Sequence, residues 1–342
     1  MIWLTWRQFR VQTLVAAIAL VLIAAYLVYL GMDIRDAHDA YRARCASRPA
    51  DCPSALAQFR SDHESTLLFL AAGLQLIPIV IGTFWGAPLI ARELETGTHR
   101  LVWNQSVTRR RWLAVKLAFV ALAGAALTGA ASALLTWAAR PFDETTGDRF
   151  SRIMFGARDI APVGYAVLAF ALGTVVGLLL RRTLPAMAVT GVAFIVLQFA
   201  FPNMVRPHLI APEKATLPMT AQAINGAQNM GSITGGAVIH GLAVPGSPGA
   251  WVSGISPFRT ADGRTLSGAR FDECLNSPQR TGADGKFGDT AVCLARLNLH
   301  VDVAYQPKSR YWAFQGLETA AYLLLAGLLT AFGLWRIRHR VS

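Results

Sequence analysis

Charge is scarce in this chain of 342 residues: only 15% are Asp, Glu, Lys or Arg, against 54% apolar residues. That share is too low for a soluble surface, and it excludes the two soluble domains that the length alone suggests. Intrinsic disorder is excluded by the same apolar content. Cysteine is rare, at four residues, too few for a disulfide scaffold of this length. Acidic residues are the scarcer sign, 20 against 32 Lys and Arg, which leaves a net charge of +12. On so apolar a chain that excess does not describe a nucleic-acid binder, and no nucleic-acid partner is expected. A G-x-x-x-x-G-K-[ST] phosphate loop is also missing, so this chain is not expected to hydrolyse ATP by that device. No catalytic, cofactor-binding or metal-ligating residue stands out.

What is present is long apolar runs. Residues 11–30, 66–91, 117–139, 160–180 and 183–202 contain no charged residue, and 311–335 contains one, Glu318. A helix needs about 20 such residues to cross the hydrocarbon core with its backbone satisfied. The predicted fold class is therefore an all-α polytopic membrane protein with six transmembrane helices. The first run exceeds a signal peptide's apolar region and precedes no small-residue cleavage site, so it is expected to be a retained anchor.

Basic residues near span ends fix orientation. With both termini in the cytoplasm, the inner segments hold Arg7, Arg10, Arg92, Arg100, Arg109, Arg110, Arg111, Lys116, Arg181, Arg182, Arg336, Arg338 and Arg340, opposed only by Glu93 and Glu95. The outer segments, 31–65, 140–159 and 203–310, are nearly neutral. The cysteines agree: Cys45 and Cys52 fall in the first outer loop, and Cys274 and Cys293 in the last. An even pair in each exported loop predicts the disulfides Cys45–Cys52 and Cys274–Cys293.

Between the spans, Ile2, Trp3, Trp6 and Phe9 recur at helical spacing. Residues 1–10 read equally as an amphipathic helix in the inner interface or as the start of the first span. Segment 31–65 predicts a short helical hairpin closed by its disulfide, with His63-Glu64 as a solvated pair. Segment 140–159 opens with Arg140-Pro141, a helix stop, and reads as a connector. Only Arg181 and Arg182 separate the fourth and fifth spans, which predicts a tight antiparallel pair. Segment 203–310 is long enough for a small disulfide-tied domain, with turns at Asp262-Gly263 and Asp284-Gly285 and an alternating strand over 297–305. Its Gly254-Ile255-Ser256-Pro257-Phe258 lacks the last glycine of a nucleophile elbow, and His208, His240 and His300 show no local nucleophile partner. The tail is 336–342.

The segment 92–116 carries the most information. The second span leaves the membrane with Arg92, Glu93 and Glu95 at its end, Gly97 supplies a C-terminal turn, and Thr98 is placed to cap a following helix. A short, dense, charged helix at the inner surface suits docking of a cytosolic protein; charge bias alone explains its arginines but not its two carboxylates.

The stretches ARELETGTHRL (91–101) and WNQSVTRRRWLAVKL (103–117), with YQPKSRYW (305–312) leading to Glu318, resemble the type-2 ABC-transporter permeases, in the form common in GC-rich Gram-positive bacteria. The order of spans and loops is similar as well. The resemblance implies a permease subunit of an exporter in a bacterial cell membrane, pairing with a second permease chain, identical or related. A cytosolic ABC ATPase subunit would hold the ATP and Mg2+. By matching position it implies that Arg92, Glu93, Glu95, Gly97, Thr98, His99 and Arg100 couple the ATPase to the spans. In such a dimer the second and fifth spans border the path, which makes Gln75, Phe84 and Gln198 candidates. Gly82-x-x-x-Gly86 and Gly173-x-x-x-Gly177 favour helix packing over substrate contact. Glu318, costly within a span, has a gating or a structural paired role, facing a polar neighbour, water or an arginine near the outer surface. Two other functions stay open: a sensory or immunity protein that binds an external ligand without moving it, and an ATPase-linked transmitter of force to an external partner.

Overall fold

The computed structural model describes residues 2–97, 109–147, 149–233, 236–276 and 285–339. The chain forms two units, one of Met1–Thr146, Ser151–Leu209 and Trp312–Ser342, the other of Gly147–Phe150 and Ile210–Tyr311.

The first unit is helical. Among the described residues six helices are long and apolar enough to cross a membrane: Thr13–Ser47, Pro49–Glu95, Ala114–Thr145, Ala161–Leu180, Thr183–His208 and Lys308–Ile337. Helix α1 (Ile2–Ser47) runs unbroken through residue 10, so residues 2–10 form no helix separate from the first span, against the interfacial helix expected over 1–10. No glycine or proline interrupts the backbone there, and the side chains of 2–9 lie outside the described residues. At 1.5 Å per residue α1 is about 70 Å long, more than twice the hydrocarbon core of about 30 Å. Its excess length fills 31–47 and joins α2 (Cys52–Leu74) through a short 3₁₀ turn and the Cys45–Cys52 disulfide. The expected hairpin is thus the prolonged ends of two spans. Leu30, Ile34, Phe59 and Phe142 are buried together along it. His63 is buried as well, with Nδ1 3.0 Å from the Phe59 carbonyl and Nε2 3.3 Å from Asp33, and is not the solvated residue expected from sequence.

The second span is segmented: after α2 come α3 (Leu76–Val80), a π-helical turn over Ile81–Gly86, and α4 (Ala87–Glu95). Pro78 and Pro88 cannot donate to the carbonyls four residues before them, at Leu74 and Phe84, and the helix breaks or widens at those places. Helix α5 (Arg109–Thr146) continues through Pro141, which corrects the expected stop. The carbonyl that Pro141 leaves without its helical donor is that of Trp137, and the Arg35 guanidinium donates to it at 2.8 Å while lying over the Trp137 ring. The predicted connector contains α6 (Arg152–Ala157), capped by Ser151, and the buried pair of Arg158 with Asp143.

Helix α7 (Ala161–Leu180) is buried on nearly every face. Its Gly173 and Gly177 mesh with Gly82 and Gly86 of the second span. A Cβ at Gly82 would lie 2.7 Å from the Ala169 carbonyl oxygen, at Gly86 2.6 Å from that of Phe170, and at Gly177 2.5 Å from that of Ala87. The two small-residue motifs therefore pack backbone against backbone. Arg181, in the left-handed region at φ 55°, ends α7 and donates to the Gly177 carbonyl, and α8 (Thr183–Ala200) starts after Arg182. Beyond α8 the chain turns through Phe201–Val205 and Arg206–His208. The sixth span is α12 (Tyr311–His339).

The second unit corrects the all-α expectation. β1 (Glu213–Pro218), β5 (His300–Gln306) and β4 (Trp251–Ile255) form an antiparallel sheet in the order β1-β5-β4, in register from Glu213 opposite Tyr305 to Pro218 opposite His300. A hairpin pairs β2 (Asn229–Ile233) with β3 (Gly236–His240). Small helices complete the unit: α9 (Ala221–Asn225), α10 (Gly268–Leu275) and α11 (Gly288–Ala295), the last two joined by Cys274–Cys293. Ile224, Phe258, Phe271 and Val301 sit in its own core. The expected strand at 297–305 starts later, at His300, because Asn298 takes a left-handed turn at φ 47°. At Asp262-Gly263 the turn is present, with Gly263 at φ 79°, and the Thr260 hydroxyl holds the Asp262 carboxyl below its ordinary range. Asp284 lies outside the described residues.

Candidate functional site

Two sets of polar residues join the spans. The first is the end of α4. The Thr96 hydroxyl and N–H both return to the Arg92 carbonyl, and Gly97 takes the left-handed turn at φ 71° that closes such a helix. Arg92 is exposed. Glu93 turns sideways to Lys116 of α5, both side chains nearly buried at 13% and 3% exposure. Glu95 reaches the start of α8, where it accepts from the Thr183 N–H at 3.0 Å and the Thr183 hydroxyl at 2.7 Å. Arg182, at the N-cap of α8, makes no side-chain cap, so the Glu95 carboxylate supplies one from another helix. The remaining members of the expected coupling set, Thr98, His99 and Arg100, lie outside the described residues, as does 101–108.

The second set surrounds Glu318, which is fully buried in α12. Arg206 donates to its two oxygens, from Nε at 2.7 Å and a terminal nitrogen at 2.9 Å, and the Tyr165 hydroxyl of α7 donates to it as well. The Arg206 guanidinium also stacks 4.0 Å from the centre of the Phe155 ring. Tyr322, one turn along α12, packs on Tyr165 with ring centres 4.6 Å apart and donates to Gln198 of α8 at 3.2 Å. Nearby in sequence, buried Gln315 accepts from the Ala161 N–H and donates to the Phe155 carbonyl. Sequence reading placed Arg206 in an outer loop. The π turn and 3₁₀ turn carry it back into the helical unit, and the only sequence signal was an arginine a few residues beyond an uncharged run.

Of the four candidate path residues the structure brings two together, Gln198 and Glu318, through Tyr322. Gln75 spends its amide on the Ile153 carbonyl of α6 at 2.7 Å. Phe84 is 55% exposed on the π turn. In the second unit Ser256 donates to the Pro257 carbonyl and accepts from the Asp302 N–H, an arrangement that ties β4 to β5. Among the described residues no three His, Cys, Asp or Glu side chains gather as a metal site would need.

Among the described residues, buried Lys116, Arg158 and Arg206 of the helical unit each pair with a carboxylate. The Arg206–Glu318 pair is bidentate in character and further hydrogen-bonded, the condition under which buried charges are tolerated. Such polar joints between close-packed helices, in a bundle whose outer faces expose leucine, valine and phenylalanine, define a multi-pass helical membrane protein. The family model described as "ABC-2 membrane transporter related" matches residues 17–206, more than half of the sequence, and the chain belongs to that family. It is a membrane permease of the ABC-2 type. No curated protein and no solved structure gives a significant match.

Proposed function

We propose that the chain is the membrane subunit of an ABC exporter that moves an amphipathic compound, such as a drug or antibiotic, a peptide or a lipid, outward. A separate cytosolic ABC ATPase supplies the work by hydrolysing ATP with Mg2+, and two permease chains, identical or related, enclose the path. Both termini, the end of α4 and the start of α8 face the cytoplasm, and the sheet-bearing unit faces out. The observation that carries this reading is the family match across the first five spans, which includes the α4 end. The basic residues at that end support the orientation. Of the described charged residues of the segment, exposed Arg92 is the one turned toward a docking ATPase, since Glu93 and Glu95 are bonded within the permease.

Two tests address the reading. A tagged chain expressed in its native cells is expected to retain a phosphate-loop ABC ATPase through detergent purification. Inside-out vesicles carrying the pair are expected to accumulate amphipathic probes on addition of ATP. An ATPase that does not co-purify removes the exporter reading. A bound ATPase with no accumulation of any probe favours force transmission to an external partner, a reading to which the separate hydrophobic core of the second unit lends weight.

A further inference from the structure

The two carboxylates that mark the α4 end do not point to a common partner. Glu93 is bonded to Lys116 at the start of the third span, and Glu95 to Thr183 at the start of the fifth. The two residues stand about half a helical turn apart and so face different sides, and α4 itself follows the π turn at Ile81–Gly86. Sharp bends in helices fall at such π turns. Below it, α4 is a short rigid segment meshed with α7 through Gly177 and fixed by carboxylates to α5 and α8.

We infer that Glu95 is a positioning residue: the cap it places on α8 is the joint through which displacement of the α4 end is passed to the fifth span. This rests on the proposed ATPase-driven function and deepens it. The geometry supports a joint over a docking contact on three grounds. Glu95 Oε2 accepts both bonds from Thr183, so the carboxylate is oriented toward α8 and not along the α4 axis. One of the two ends on the Thr183 backbone N–H at the first turn, so it pulls on the helix as a body and not on a rotatable side chain alone. The turn before α8 is only Arg181 and Arg182, with Arg181 fixed by its bond to the Gly177 carbonyl, so little slack separates α7 from α8. Glu93 with Lys116 makes the corresponding joint to the third span. One short helix thereby steers spans on two sides.

Thr183→Pro is the informative substitution. It removes the hydroxyl and the N–H together, while proline at the first position of a helix is well tolerated. Arg182 already has the extended backbone, at φ −130° and ψ 130°, that a following proline requires. Thr183→Ser keeps both donors. Spin labels attached at the exposed positions Phe69 and Phe199 report the separation of the second and fifth spans in the intact permease–ATPase complex, with and without ATP.

The native complex and the Thr183→Ser variant are expected to show an ATP-dependent change in label separation. In Thr183→Pro and Glu95→Ala the fraction of molecules that shifts falls about fivefold, the scale set by one helix cap, while the amount of bound ATPase stays as in the native chain. A shift of native size in Thr183→Pro overturns the joint. Loss of the ATPase from Glu95→Ala or Thr183→Pro overturns it too, because the contact would then be docking. Failure of the ATPase to bind the native chain is a separate result, and it removes the function on which the joint rests.

Discussion

Two ion-bearing joints in the same helical unit are built on opposite terms. Around Glu318 every group is buried: the carboxylate, Arg206, Tyr165 and the Phe155 ring close over one another. At the end of α4 the Glu95 carboxylate lies exposed and meets a helix N-terminus with two bonds. A buried pair that loses one member leaves an uncompensated charge away from water, whereas an exposed cap that is lost is replaced by water. The first joint therefore governs whether the bundle assembles, and the second has scope to govern how it moves.

The comparison is broken most severely at Glu318. Glu318→Gln is expected to destabilise by about 3–5 kcal/mol, seen as poor recovery of monodisperse protein and a lower melting temperature in detergent. The double variant with Arg206→Met is expected to recover most of that loss, because it removes both charges at once; no recovery would mean that the residues act independently. Next in size is Gly173→Leu, which drives a side chain into the Gly82 backbone and is expected to cost at least about 1–3 kcal/mol by overpacking. Arg35→Ala follows. It strips an exposed donor from the Trp137 carbonyl, at a cost of about 0.5–1.5 kcal/mol, and hydrogen exchange is expected to speed up at 142–146 with the rest of α5 unchanged. Thr183→Pro comes last, at about 1 kcal/mol or less, so its melting temperature should stay close to native. A large fall there would erase the contrast between the two joints.

The runs without charge were enough to read six spans, and the cysteine positions enough to pair the disulfides, because lipid and compartment act on composition directly. Contacts made at long range were not legible. Pro141 reads as a stop until Arg35, a hundred residues earlier, is seen to serve the Trp137 carbonyl. Arg206 reads as a loop residue because apolar counting ends a span at its last uncharged residue. Glu318 called for a partner, but the choice among water, arginine and other groups depended on the path of the chain after α8. The strands of the second unit were hidden in glycine- and proline-rich sequence. Only β5 alternates clearly, and β1, β2 and β3 take their form from pairing with neighbours. In the α4 segment the residue types were recognised, but their direction was not: Glu93 and Glu95 face the neighbouring spans.

The central claim is that assembly and motion reside in different joints. The most direct test measures two quantities in the same preparations of Glu318→Gln and Glu95→Ala: the amount of intact permease–ATPase complex, and the ATP-driven change in label separation per complex recovered. The account predicts little complex from Glu318→Gln and a native amount from Glu95→Ala with its ATP response largely lost. A native amount of complex from Glu318→Gln, or a full ATP response in Glu95→Ala, would contradict it.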